Sequence, residues 1–179
     1  HLKWQQELET SLADLNFTSK LKRVEHHLSH AANAYYTSGF DEALVVTLDG
    51  YGSGLAGSVS IGRDAAITRV HDLEYPHSLG TFYESVTSAL GFTPSRHEGK
   101  IVGLAAYGDP EVLGDVLRRR FVSKNGGFQI VETNNMYFAR MLASSFPKID
   151  VAAAYQRVLE EVAAAYVGQY VRQTGIRKL

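Results

Sequence analysis

The sequence contains no cysteine. That excludes disulfide scaffolds, thiol nucleophiles and Cys-ligated zinc or iron–sulfur centres, so any metal here must sit on His, Asp and Glu. Long apolar runs are missing too. Nothing approaches the roughly 18 residues of a membrane span, and no membrane partner is expected. Nor is charge of one sign in excess. Lys plus Arg number 18 and Asp plus Glu 19, for a net charge of -1. That balance argues against a dedicated nucleic-acid binder, which needs a basic surplus. The opening residues lack the basic, apolar and small-residue pattern of a secretory leader, and a cytoplasmic location is the expectation.

What is present is globular. Of 179 residues, 45 % are hydrophobic and 21 % charged, enough for one domain. The chain starts at His1 inside a helical pattern and stops at Ile176-Arg177-Lys178-Leu179, which reads as the start of a strand. A piece of a longer protein is expected.

Residues 2–14 suit a helix with Leu2, Leu8 and Leu12 on one side, and Lys22–Glu25 a short strand. His26–Ser38 reads as an Ala-rich helix stopped by Gly39. The apolar run Glu42–Leu48 suits a strand buried on both faces, and Asp49–Gly54 a turn after it. Residues 55–62 and 66–73 read as two further strands, and Ser78–Leu90 as a Ser-capped helix. Helices over Glu98–Tyr107 and from Pro110 to Arg120 follow, then a hairpin in 121–132 around Asn125-Gly126-Gly127. Asp150 is expected to cap a long helix reaching about Thr174. There Val151, Tyr155, Val158, Val162, Tyr166 and Tyr170 recur at helical steps, as packing residues. This order predicts a mixed α/β fold, a sheet with flanking helices.

Three of the seven histidines fall close together, at 26, 27 and 30. On a helix, residues four apart are surface neighbours, so His26 and His30 aim two imidazoles at one point while His27 is turned away. Such a pair suits a metal, or equally a polar helix edge. The zinc-protease version needs Glu directly after the first His, where His27 stands. Asp49 ends the apolar strand, a common ligand position in open sheets, although an Asp before Gly also serves ordinary turns. Gly50, Gly52 and Gly54 either bring backbone N–H groups to a phosphate or supply the positive φ of a hairpin. Lys100, opening a helix after His97-Glu98-Gly99, either pairs with a phosphate or is solvated. Arg118-Arg119-Arg120 reads as a solvated basic face at a helix end.

Three ordered segments are more specific together: His-His-Leu-Ser-His-Ala-Ala-Asn-Ala-Tyr-Tyr at 26–36, leading to Ser-Gly-Phe-Asp-Glu-Ala; Val-Val-Thr-Leu-Asp-Gly at 45–50; and Glu-Gly-Lys-Ile-Val-Gly-Leu-Ala-Ala-Tyr-Gly at 98–108. From about residue 21 to the end the chain resembles the carbamoyltransferase family of nodulation proteins and antibiotic-tailoring O-carbamoyltransferases. The resemblance implies part of an actin-like (ribonuclease-H-like) ATPase domain, 1–179, whose first strands and downstream nucleotide loop lie outside it. A YrdC-like domain would follow toward the C-terminus and make carbamoyl adenylate from carbamoyl phosphate and ATP. The actin-like domain would pass the carbamoyl group to a hydroxyl of a small-molecule or oligosaccharide acceptor.

By motif match, a divalent metal, typically iron, would be held by His26, His30 and Asp49, with a further Asp beyond Leu179. Gly50, Gly52 and Lys100 are the candidate nucleotide contacts, and Lys100 the candidate catalytic group; His27 and Glu98 match the motifs with no role attached. Two positions depart from the family pattern. Ser53 replaces an acidic residue after the Asp-Gly-x-Gly turn, and Ala106 replaces a Pro. An actin-fold kinase or a non-catalytic nucleotide- or metal-binding protein are the rival readings, and a homodimer is entertained as the assembly.

Overall fold

The structure, a computed structural model, describes residues 2–132 and 134–179. Its centre is an antiparallel sheet of β1 (Glu42–Gly52), β2 (Leu55–Arg63) and β3 (Ala66–Glu74), in that order. Ala43, Leu44 and Val45 are consecutive and all buried, so both faces of β1 are covered, as an unbroken apolar run requires. On one face lies α2 (His26–Ser38), whose Ala31 and Tyr35 pack on Ala43, Val45 and Ile67. On the other lie Leu44, Ala56, Val59 and Leu73, against Tyr166 and Tyr170 of the long helix α7 (Lys148–Thr174).

Register decides which side chains face which helix. Val46 pairs with Val59 on the α7 side and Thr47 with Ser58 on the α2 side. Between the pairs Val59–His71 and Ser60–Arg69, β3 carries one extra residue, Val70. A bulge of this kind reverses the alternation beyond it. Ile67 and Arg69 therefore face α2, whereas Leu73 and His71 face α7, where His71 Nδ1 accepts from the Tyr166 hydroxyl at 2.9 Å.

A second core joins α3 (Leu79–Ala89), α4 (Glu98–Ala105), α5 (Glu111–Arg118), α6 (Asn135–Ser145) and α7. Phe82 stacks on Tyr155 with ring centroids 4.5 Å apart. Leu117 is fully buried among these helices. Leu117→Ala is expected to cost about 2–5 kcal/mol, read as a lowered denaturation midpoint. A small hairpin, β4 (Phe121–Lys124) and β5 (Gly127–Ile130), closes this end. Beyond α7 the Lys178 carbonyl accepts the Leu44 N–H at 2.9 Å, so the chain returns along the open edge of β1. Among the described residues no helix is long and apolar enough to cross a membrane.

Several expectations are corrected. Lys22–Glu25 forms no strand, because no strand among the described residues pairs with it and Glu25 is committed to the start of α2. The turn after β1 is confined to Ser53 and Gly54, and Asp49–Gly52 belong to the strand. Helix α6 is an addition to the expected elements; its short sequence buries only Asn135, Ala139 and Leu142. Helix α7 starts at Lys148 behind Pro147, and the Asp150 carboxylate accepts the Asp109 N–H instead of capping it. Arg120 is not solvated: it is buried, lies over the Phe138 ring and donates to the Glu132 carbonyl and Asn135. The N-terminal helix α1 (Leu2–Asp14) forms with Leu8 and Leu12 half-buried, while the side chain of Leu2 lies outside the described residues.

Candidate metal centre

The site begins at the first turn of α2. Glu25, extended at φ -63° and ψ 140°, is its N-cap, and the carboxylate accepts the N–H groups of His27 and Leu28 at 2.9 and 2.7 Å. Arg69 on β3 donates to the same carboxylate at 2.5 Å. Burial alone would raise the Glu25 pKa, but the two N–H groups and the guanidinium outweigh it and hold the carboxyl down at about 2, against an ordinary 4.5. A depressed carboxyl stabilises the fold above its unfolded value, and that contribution is lost as pH falls from about 4.5 toward about 2. Glu25→Gln is expected to flatten this part of the acid denaturation curve by about 1–2 kcal/mol, after allowance for partial exposure.

Immediately after the cap come the histidines. The His26 backbone N–H donates to Ser53 Oγ at 3.3 Å, which gives the departure at position 53 a structural use. His27 is fully buried; its Nδ1 meets Thr47 Oγ1 at 3.0 Å, and Thr47 meets Ser58 at 2.9 Å. It anchors the helix to the sheet and leaves His26 and His30 outside.

The opposing carboxylate comes from β1. Asp49 lies two residues beyond Thr47 and faces α2 with it. Between the pairs Leu48–Gly57 and Gly52–Leu55 the strand departs from regular register, carrying Asp49, Gly50 and Tyr51 clear of the ladder. The backbone there is held from below. Ser78, the α3 cap foreseen from sequence, accepts the Thr81 N–H at 3.0 Å and donates to the Asp49 carbonyl at 2.7 Å. Gly80 packs so closely that a Cβ on it would lie 2.5 Å from the Gly50 nitrogen. Asp49 Oδ1 accepts the Gly50 N–H at 2.7 Å, leaving Oδ2 for the histidines.

His26 Nε2 lies 2.6 Å from Asp49 Oδ2 and 3.0 Å from His30 Nε2, and His30 Nε2 lies 3.5 Å from the same oxygen. Burial raises the Asp49 pKa, but the hydrogen bonds from His26 and the Gly50 N–H, with the charges of His26 and His30, bring it below its usual value. A neutral imidazole nitrogen carries one proton or one lone pair, so His26 Nε2 cannot make a linear bond to both neighbours. A cation resolves that conflict. With metal–ligand bonds of about 2.1 Å, neighbouring ligand atoms at right angles stand about 3.0 Å apart, close to the separations seen here. The donor set of two imidazoles and one carboxylate thus fits a divalent metal, and the three side chains are 39 %, 55 % and 38 % exposed, open to further ligands.

The other sequence-stated candidates divide. Neither Gly50 nor Gly52 has a positive φ; that role falls to Ser53 and Gly54. Gly52 is glycine because a Cβ there would overlap the His26 ring. Gly50 borders a cavity of about 460 Å³ on the α3 side of Asp49, lined also by Leu48, Leu79, Tyr83, Glu84, Glu98 and Gln156. Glu98 and Val102, one turn apart, face this cavity, whereas Lys100 stands on another side of α4 over the Phe92 ring. Glu25, Arg69 and Glu84 stand in no recognisable motif of the sequence. Glu is not a favoured N-cap residue, and Arg69 reaches Glu25 only through the bulge, so neither leaves a local signal.

A sheet-centred α/β domain bearing a two-histidine, one-carboxylate cluster is therefore the class of molecule at hand. The family model described as "Carbamoyltransferase N-terminus" matches residues 4–179, and the chain belongs to that family. The nodulation protein NolNO of Sinorhizobium fredii is 29 % identical over 176 residues, covering 90 % of this chain and 25 % of its own length. The nodulation protein NolO of Bradyrhizobium diazoefficiens is 27 % identical over 165 residues, covering 87 % of this chain and 30 % of its own. An uncharacterized protein of Synechocystis sp. is 30 % identical over 175 residues, covering 87 % and 28 %. The chain thus spans between a quarter and a third of the length of these relatives.

Proposed function

We propose that this chain is the metal-bearing part of an enzyme that transfers a carbamoyl group from carbamoyl adenylate to a hydroxyl. The observation that carries the reading is the convergence of His26, His30 and Asp49, all within 4.8 Å of one another. Two imidazoles and a carboxylate on one side of a cation suit iron(II), with positions left for substrate oxygens. When bound, the metal supplies charge neutralisation for phosphate and polarisation of the reacting groups. A chain that runs β1–β2–β3 and comes back through α3–α7 to the open edge of β1 suits an actin-like domain, to which later strands would add. A YrdC-like partner domain in the whole protein would make the adenylate from ATP and carbamoyl phosphate.

In the transfer the acceptor oxygen bonds to the carbamoyl carbon, the bond from that carbon to the adenylate phosphate breaks, AMP leaves and the hydroxyl proton passes to solvent. The cavity beside Asp49 is the place for the acceptor. Glu84 and Glu98 there accept hydrogen bonds from hydroxyl groups and repel phosphate, while Leu48, Leu79 and Val102 offer an apolar wall. Lys100, directed elsewhere, is given no step. The test is to supply the whole protein with labelled carbamoyl phosphate, ATP, iron(II) and a panel of hydroxylated acceptors. Label in the acceptor together with AMP supports the reading. Transfer of the ATP γ-phosphate instead would establish the kinase alternative.

A further inference from the structure

We infer that Arg69 and Glu25 form a positioning pair that sets how tightly His26, His30 and Asp49 hold their cation. The inference rests on the metal reading above and adds two residues to it. Both histidines belong to the first turns of α2, and Asp49 to β1. Their convergence therefore depends on where the start of α2 is held relative to the sheet. Glu25 fixes that start, since each carboxylate oxygen takes one N–H of the first turn.

Glutamate is a poor N-cap by itself, because its side chain must freeze more torsions than Asp or Ser to reach those N–H groups. Here an outside partner freezes them: Arg69 Nη2, 2.5 Å from Oε2. Arg69 is steadied in turn by Asp72 Oδ1 at 3.1 Å. It faces α2 only because Val70 is bulged out of β3; in regular alternation Arg69 would share a face with His71, which points to α7. The bulge thus spends a ladder position on delivering a guanidinium to the cap of the helix that carries both imidazoles. Arg69 ties that cap to the far strand of the sheet, while Ser53 and Thr47 tie the next two residues to the near side. The first turn is held from two directions, and the His26–Asp49 separation follows from both.

The experiment is a cobalt(II) titration of the whole protein, read by visible absorption and calorimetry, with His30→Ala defining the signal of this site. Arg69→Ala is expected to weaken cobalt binding by about tenfold to a hundredfold, as loss of groups that orient metal ligands does. Arg69→Lys, which keeps the charge, is expected to recover part of it. A merely structural role is excluded by Arg118→Ala. That variant removes a comparable ion pair to Glu161 on α7 and is expected to leave cobalt affinity unchanged. Equal affinity in wild type and Arg69→Ala overturns this inference alone. A wild type with no cobalt signal dependent on His30 overturns the metal reading and this inference with it.

Discussion

Asp49→Ala in the whole protein is expected to abolish carbamoyl transfer while adenylate formation continues at its normal rate. The carboxylate is the one anionic member of the cluster, and both imidazoles are placed around its Oδ2, at 2.6 and 3.5 Å. Without it, two imidazole nitrogens 3.0 Å apart remain, too few donors and no negative charge to retain a divalent ion. Loss of groups that only orient metal ligands typically costs about ten- to a hundredfold. Loss of the ligand itself is therefore expected to reduce transfer by more than about a hundredfold. His26→Ala is expected to behave alike. Asp49→Asn, which keeps an oxygen in place without the charge, should fall between. Pyrophosphate release reports adenylate formation and carbamoylated acceptor reports transfer, so the two steps separate in one reaction mixture. Transfer by Asp49→Ala at the wild-type rate would remove the metal from the mechanism.

Much of this arrangement is legible from sequence, for identifiable reasons. The His26/His30 spacing is a direct consequence of the helical repeat, and the apolar run before Asp49 marks its strand; that this strand end meets the two histidines is implied by the family resemblance and not by spacing. Ser78 announces the start of α3 because capping is a local interaction. What escapes is set by contacts between elements distant in sequence. Glu25 reads from sequence as the last residue of a strand, since nothing around it signals that its partner lies 44 positions away. The bulge at Val70 is invisible in a segment of ordinary β-forming residues, yet it decides that Arg69 and His71 face opposite helices. Arg120 reads as one of three exposed arginines; the Phe138 ring and the Asn135 side chain that bury it come from a helix whose own pattern is weak. Gly50, Gly52 and Gly54 look alike in sequence and differ in use, because one borders a cavity, one makes room for a ring and one supplies a left-handed turn.

That last difference gives a sharp expectation: Gly52→Ala should keep the fold and lose the metal. The φ of Gly52 is not left-handed, so the backbone accepts alanine. The obstruction is the imidazole of His26, whose Cγ, Cδ2 and Nε2 all lie inside van der Waals contact of the added carbon. Gly52 is buried and paired with Leu55 at the end of the hairpin, whereas the ring is part-exposed, so the ring gives way. Turning it takes Nε2 off Asp49 Oδ2, at a stability cost of about 1–3 kcal/mol as in other overpacked sites. Gly54→Ala is the contrast. It strains a φ of 88° but has nothing among the described residues within 4 Å of the new carbon, so it costs about 1 kcal/mol and leaves His26 alone. Thermal melts with and without cobalt(II) read both effects, because an ion that binds the folded state raises the melting temperature by an amount that grows with the logarithm of its affinity. The cobalt-induced shift should vanish in Gly52→Ala and persist in Gly54→Ala. A wild-type shift in Gly52→Ala would mean that His26 does not need its observed place between glycine and carboxylate to bind the ion.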